Sequence, residues 1–147
     1  PVQHQGNDGV TLQNCVAPTG EIITHPARGT LTGNRGILHR PEQTLGTSQR
    51  QHPNWAICTL HHPRGTYHGP MPDRAWTALF FLDEAVALAA GHRPCHYCQR
   101  ARAREFRAAW DAAHGPTGGP ATRMPDLDRA LHAARVAAAK AVEKETP

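Results

Sequence analysis

Two cysteines separated by two residues, Cys95 and Cys98, are the residues whose spacing indicates chemistry most directly. Thiolates at this spacing can bind one tetrahedral ion, and a helix that begins just after them favours the ionised thiol. Thioredoxin-like redox proteins also place this spacing at a helix start, but no β-α-β pattern precedes it here. The motif therefore predicts a zinc site, with redox chemistry as the alternative. Two further ligands must come from elsewhere in the chain, which contains four cysteines and eleven histidines.

Short strands followed by helices must position these cysteines. We predict strands at residues 21–25, 28–32 and 55–60, and helices at residues 84–90, 98–114 and 125–144. Gly-rich turns between short strands favour antiparallel pairing. Asp83 is a suitable N-cap for the first helix, and Gly91 a suitable stop. The pattern predicts an α+β fold, in which a small antiparallel sheet packs on helices around a structural zinc, with an Ala-rich C-terminal helix.

Three parts of the chain follow from this pattern. We expect an extended lead-in at residues 1–20, a zinc-binding α+β domain at residues 21–114, and a Gly/Pro linker with the C-terminal helix at residues 115–147. A thin stripe of small residues suggests that this last helix docks as an appendage.

The composition limits which classes of protein are possible. The 147 residues are 39% hydrophobic and include 13 glycines and 13 prolines, so the chain can form one small hydrophobic core. No run of about 18 apolar residues is present, so we expect no membrane span. The first residues lack the basic start and apolar run of a secretory signal, and we expect a cytoplasmic protein. The net charge of +4 is compatible with a nucleic-acid partner but does not require one.

The segment around the cysteine pair resembles a known family. Residues 83–99 contain an Ala-Leu-Ala-Ala-Gly run followed by Arg-Pro-Cys-x-x-Cys, and the apolar Leu79-Phe80-Phe81 precedes them. This stretch is similar to the N-terminal zinc domain of Ada-type DNA methylphosphotriester methyltransferases. The resemblance implies a bound zinc, a DNA partner and, in the family, transfer of a methyl group to a zinc-bound cysteine.

The same resemblance suggests where the other ligands lie. Residues 36–41, Gly-Ile-Leu-His-Arg-Pro, are similar to the family's strand end Gly-Ile-Phe-Cys-Arg-Pro, and His39 stands at the methyl-accepting cysteine. With Cys58 from the next strand, this register gives the metal ligands His39, Cys58, Cys95 and Cys98. A second register instead places Cys58 and His62 on the family's Cys-x3-Cys pair. We prefer the first register, because His39 and Cys58 both end apolar strand segments, whereas His62 begins a Pro/Gly-rich loop; the resemblance itself leaves both registers open.

Arginines are the candidate contacts to a nucleic acid. Three of them recur at helical spacing within the predicted helix 98–114, and the others lie near the predicted end of the sheet. The candidates are Arg35, Arg40, Arg93, Arg100, Arg104 and Arg107. Arginine beside a zinc knuckle is suited to backbone phosphates, and the resemblance makes DNA the expected partner.

Three functions are compatible with this sequence. The first is a zinc-stabilised module that binds DNA or recognises DNA damage without methyl transfer, because His39 cannot accept a methyl group as a cysteine does. The second is an enzyme, either a metal-dependent hydrolase or nuclease using His61, His62 or His68, or an alkyl acceptor at Cys58. The third is a protein-interaction module that uses Trp55, Trp76 and the Ala-rich tail helix.

Overall fold

The computed structural model describes residues 12–27, 29–42, 44–48, 50–62, 65–66, 76–115 and 118–145. Within these residues the strands are β1 (Gln13–Val16), β2 (Ile22–Thr24), β3 (Leu31–Asn34), β4 (Ala56–Thr59), β5 (His61–His62), β6 (Gly65–Thr66), β7 (Leu79–Phe81) and β8 (Arg93–Pro94). The helices are α1 (Glu84–Ala89), α2 (Arg100–His114) and α3 (Met124–Glu145). The predicted α+β class is confirmed.

Six strands form one mixed sheet in the order β2-β1-β7-β3-β4-β8, and β5 pairs with β6 in a separate hairpin. The pairs β1/β2, β3/β4 and β3/β7 are antiparallel, and a short turn joins β1 to β2. The pairs β1/β7 and β4/β8 are parallel, which requires the long connections that separate these strands in the chain. Residues 1–20 were expected to form an extended lead-in outside the α+β domain, but β1 lies inside the sheet between β2 and β7.

The core lies on both faces of β7. Leu79 and Phe81 pack into the main apolar cluster, whereas Phe80 packs with Ala78 on the other side. A strand covered on both faces is a continuous apolar run, which explains the Leu-Phe-Phe sequence. Gly33 on β3 makes room for this strand, because a Cβ built there would lie 2.4 Å from the Phe81 ring.

Helix α1 begins and ends as the sequence predicts. The Asp83 carboxylate accepts a hydrogen bond from the backbone N–H of Val86 at 2.8 Å, which satisfies one free donor of the first turn. Gly91 follows the last turn with a φ of 84°, a conformation that favours glycine. The chain then turns directly into β8 and the cysteine pair.

Helix α3 is attached by specific polar contacts in addition to small residues. Leu127 is fully buried, and the Asp128 carboxylate binds the Arg93 guanidinium at 2.8 Å through both oxygens. About two turns further on, Arg135 donates hydrogen bonds to the carbonyls of Gly91 and Pro53. The helix is therefore part of the folded unit through its first three turns. None of the helices in the described part of the chain has the length and apolar character needed to cross a membrane.

Candidate metal centre

Three cysteines meet at the junction of β4, β8 and α2. Cys58 lies near the end of β4, and the parallel pairing of Ile57 with Pro94 places Cys95 beside it. The N–H of Cys95 continues this pairing with a 2.9 Å hydrogen bond to the carbonyl of Ile57. The sulfurs of Cys58, Cys95 and Cys98 all lie within 4.8 Å of one another, and all three side chains are half-buried. The structure thus joins the predicted cysteine pair to one predicted ligand from a distant strand.

Backbone and amide hydrogen bonds hold the turn that carries Cys95 and Cys98. The N–H of Gln99 donates to the carbonyl of Cys95 at 2.9 Å, which closes the turn before α2 begins. The side-chain amide of Gln99 reaches across to the carbonyl of Ile57 at 3.0 Å. Gln99 therefore ties the turn to β4 at the strand that carries Cys58. The sequence prediction assigned no role to this residue, because its partner, the carbonyl of Ile57, lies 42 positions earlier in the chain.

The three thiols differ in their preferred ionisation. The pKa of Cys95 is lowered to about 5, first by a hydrogen bond from the Cys58 thiol and further by the backbone N–H groups of Cys98 and Tyr97. The pKa of Cys58 is raised by that same hydrogen bond, by burial and by the neighbouring sulfur charges. The pKa of Cys98 is raised, mainly by burial. A thiolate crowded against two protonated thiols is the arrangement that a cation replaces, since a coordinated thiol is deprotonated.

The donor set fits a thiophilic divalent ion. Zinc–sulfur bonds of about 2.3 Å place the sulfurs of a tetrahedral site roughly 3.8 Å apart, within the separation found here. The three sulfurs occupy three corners, and the fourth corner requires another donor. Among the described residues, no histidine or carboxylate contributes a ligand atom to this group.

His39, one of the predicted ligands, lies elsewhere. Its ring Nδ1 is 2.7 Å from the hydroxyl of Thr77, and the backbone N–H of His39 also donates to that hydroxyl. On β3, Thr32 pairs with Cys58 on one side and with Phe80 on the other, so Phe80 and Cys58 lie at the same level of the sheet. Thr77 precedes Phe80 by three residues. This places His39 about 10 Å away along the strand direction, towards the opposite end of the sheet. The structure does not bring His39 to the cysteines, because β3 has run past them before residue 39 is reached.

The hairpin of β5 and β6 begins next to the cysteines. The backbone N–H of Thr59 donates to the Cys98 sulfur, and the hydroxyl of Thr59 donates to the carbonyl of His61. His61 is exposed and its ring is not part of the sulfur group. The backbone of His62 follows in β5, four positions after Cys58. The His62 side chain and all of His68 lie outside what the structure describes.

The six candidate arginines occupy different environments. Arg35 and Arg93 are buried, at 1% and 8% exposure, and their guanidinium groups bind Gly20 and Asp128. These two arginines are therefore not available to a phosphate, in contrast with the prediction, because the fold encloses them. Arg40, Arg100 and Arg104 are exposed, and Arg107 is half-buried.

Comparison of this chain with models of known protein families, with curated proteins and with solved structures gives no match. The resemblance to the Ada-type zinc domain therefore stays a prediction from residues 79–99.

Proposed function

We propose that this protein is a zinc-binding domain in which one ion joins β4 to the turn before α2, and that the adjoining helix face binds DNA. The observation that carries the proposal is the group of three sulfurs within 4.8 Å, contributed by residues far apart in the chain. Because these thiols are all free, we infer a reducing compartment, the cytoplasm, in which they stay available to the ion. The ion has a structural role, since it links β4 to the turn before α2, which the pairing of β4 with β8 already places side by side.

For the fourth ligand, the position of the β5–β6 hairpin favours His62 over His39. His62 follows Cys58 by four residues, as the second sequence register requires. The chain that leads from β4 to His62 passes beside Cys98, since the backbone N–H of Thr59 donates to the Cys98 sulfur. His39 is held by Thr77 at a distance from the sulfurs. A histidine donor from the hairpin would complete a Cys3His site of the kind that structural zinc occupies.

Metal analysis with single substitutions tests this assignment. We expect one zinc per chain in the purified protein and loss of most of it in Cys58→Ser. His62→Gln should weaken zinc binding strongly, and His39→Gln should leave it unchanged. Cys15→Ser is the matched control, because Cys15 lies three strands away in the same sheet. Full zinc retention in Cys58→Ser, confirmed by elemental analysis, would contradict the proposed site.

The DNA-binding part rests on α2, which begins two residues after Cys98 and presents Arg100 and Arg104 to solvent. Such side chains bind backbone phosphates, so affinity should fall as salt rises, with a slope of about 0.9 per phosphate contact. Replacing Arg100, Arg104 and Arg107 together by glutamine should weaken binding to duplex DNA and reduce that slope. Arg102→Gln is the control, because Arg102 is engaged by Glu84 and Glu105. Equal effects of the triple variant and the control would refute the assigned face.

A second candidate function is the acceptance of an alkyl group. One observation favours it: the sulfur group includes Cys58, which lies near the end of β4. In that reaction a methyl group moves from a DNA phosphotriester to sulfur, forming a thioether and leaving a phosphodiester. Incubation with methylated DNA, followed by peptide mass analysis, should then show one added methyl group on Cys58. Metal-dependent hydrolysis receives no such support, because no described carboxylate or histidine joins the sulfur group.

A further inference from the structure

Thr32, within β3, carries a hydroxyl group that is buried and unpaired. The residue is 2% exposed, and its Oγ1 has no hydrogen-bond partner among the described residues. Buried polar groups in folded proteins are nearly always hydrogen-bonded, so an exception calls for an explanation. A valine has the same shape without the hydroxyl, and a hydroxyl with no partner costs stability in an apolar environment. The hydroxyl of Thr32 therefore points to a partner that it meets in the working protein.

Thr32 is paired with one of the three clustered cysteines. The antiparallel register of β3 and β4 places it opposite Cys58, so the two side chains lie on the same face of the sheet. On its other side Thr32 is paired with Phe80. Leu60 and Ala78 pack with Phe80 and make the surroundings on this face apolar. Among these described neighbours, Cys58 is the residue whose side chain can accept a hydrogen bond.

The separation of the two side chains is suited to such a bond. The Cβ atoms of directly opposed residues in an antiparallel pair lie about 4.5–5.5 Å apart. Oγ1 of Thr32 and Sγ of Cys58 each lie one bond beyond Cβ, and a change of rotamer about the Thr32 Cα–Cβ bond turns the hydroxyl towards the sulfur. As a thiol, Cys58 is a weak acceptor, and it donates its own hydrogen to the Cys95 sulfur. As the ligand of a cation, it is a thiolate and a strong acceptor.

We propose that the Thr32 hydroxyl donates a hydrogen bond to the Cys58 thiolate when the ion is bound, and that it thereby orients this ligand and lowers the nucleophilicity of its sulfur. The proposal rests on the metal centre proposed above and adds to it a residue that is not a ligand. Such outer hydrogen bonds hold metal ligands in position and strengthen binding of the ion. The proton of the Cys58 thiol passes to solvent as the ion binds, and Thr32 keeps its own proton.

Zinc affinity of the full chain, measured by competition with a chromogenic chelator, is the first test. We expect Thr32→Val to bind zinc about tenfold more weakly, a loss typical of removing an outer partner of a metal ligand. Thr32→Ser keeps the hydroxyl and should restore most of the affinity. Thr30→Val is the matched control, because Thr30 is exposed just before β3 and its hydroxyl donates to the carbonyl of Leu82. Equal affinities of Thr32→Val and the unmodified protein would overturn the proposal.

A spectroscopic measurement separates a hydrogen bond to sulfur from a role in packing alone. Protein loaded with Co²⁺ in place of zinc absorbs light through charge transfer from sulfur to the metal. Loss of the hydrogen bond raises the energy of the sulfur lone pairs, so the band should move to longer wavelength in Thr32→Val and return in Thr32→Ser. In zinc-loaded protein, iodoacetamide should also modify Cys58 faster in Thr32→Val. An unchanged band and an unchanged rate would overturn the proposal, even where the zinc affinity falls.

The outcomes distinguish this proposal from the metal centre on which it rests. If the unmodified protein binds no zinc, the metal centre and the role of Thr32 are both wrong. If the unmodified protein binds zinc and Thr32→Val matches it in affinity and in spectrum, the metal centre stands and the role of Thr32 alone is wrong.

Discussion

The ion pair between Arg93 and Asp128 gives the most quantitative prediction. Both side chains are nearly enclosed, at 10% and 5% exposure, and two parallel hydrogen bonds of 2.8 Å join them. Asp128→Asn keeps the shape but removes the negative charge, which leaves a buried guanidinium without its counter-ion. Breaking a buried pair in this way typically costs about 3–5 kcal/mol. For a chain of this length, that corresponds to a fall in Tm of roughly 6–20 °C.

Urea and thermal unfolding followed by circular dichroism measure the loss. The control is Asp126→Asn, on the same helix, whose carboxylate pairs with Arg123 and Arg129 at the exposed surface. Exposed pairs contribute little, so this variant should unfold close to the unmodified protein. Replacing Arg93 and Asp128 together by methionine and leucine should recover most of the loss, because apolar side chains remove the unpaired charge. The reasoning is refuted if the two single asparagine variants unfold at the same temperature.

The remaining predictions concern packing and thiol reactivity. Leu127→Ala should lower the free energy of unfolding by about 2–5 kcal/mol, because the leucine side chain is fully buried and its removal leaves a cavity. Chemical denaturation measures this loss, and an unchanged midpoint would contradict it. Gly33→Ala should destabilise the protein by about 1–3 kcal/mol, because the added Cβ overlaps the Phe81 ring, and an unchanged Tm would argue against that contact. In metal-free protein at pH 7, iodoacetamide should modify Cys95 before Cys58. The lowered pKa of Cys95 makes it a thiolate, whereas the raised pKa of Cys58 keeps its proton, and peptide mapping that finds Cys58 modified first would reverse the assignment.

Local patterns in the sequence predicted the helices and the cysteine pair well. The Asp83 cap and the Gly91 stop are signals within a few residues of the helix they bound, so no distant contact is needed to read them. Cys58 could also be named as a ligand, because it lies on a strand predicted beside the others. His39 could not be judged in the same way, since its distance from the cysteines depends on how far β3 runs along β4, which is a property of long-range pairing.

Charge type alone was a poor guide to the role of individual arginines. Arg35 and Arg93 were candidate contacts to a nucleic acid, yet one packs on Trp55 and the other binds a carboxylate of α3. An arginine is buried when a partner elsewhere in the chain neutralises or stacks on it, and no window of neighbouring residues contains that information. Arg135 was missed for the same reason, since its partners Gly91 and Pro53 are contributed by distant loops.

The parallel pairing of β4 with β8 also bears on how the protein is made. Cys58 leaves the ribosome well before Cys95, and β5, β6, β7 and α1 all lie between them in the chain. The sulfur cluster therefore cannot assemble until synthesis has passed the second half of the sheet. Folds dominated by such distant pairings form slowly. During that interval Cys58 lacks both of its sulfur partners, so the proposed ion cannot hold it until the turn before α2 has been made.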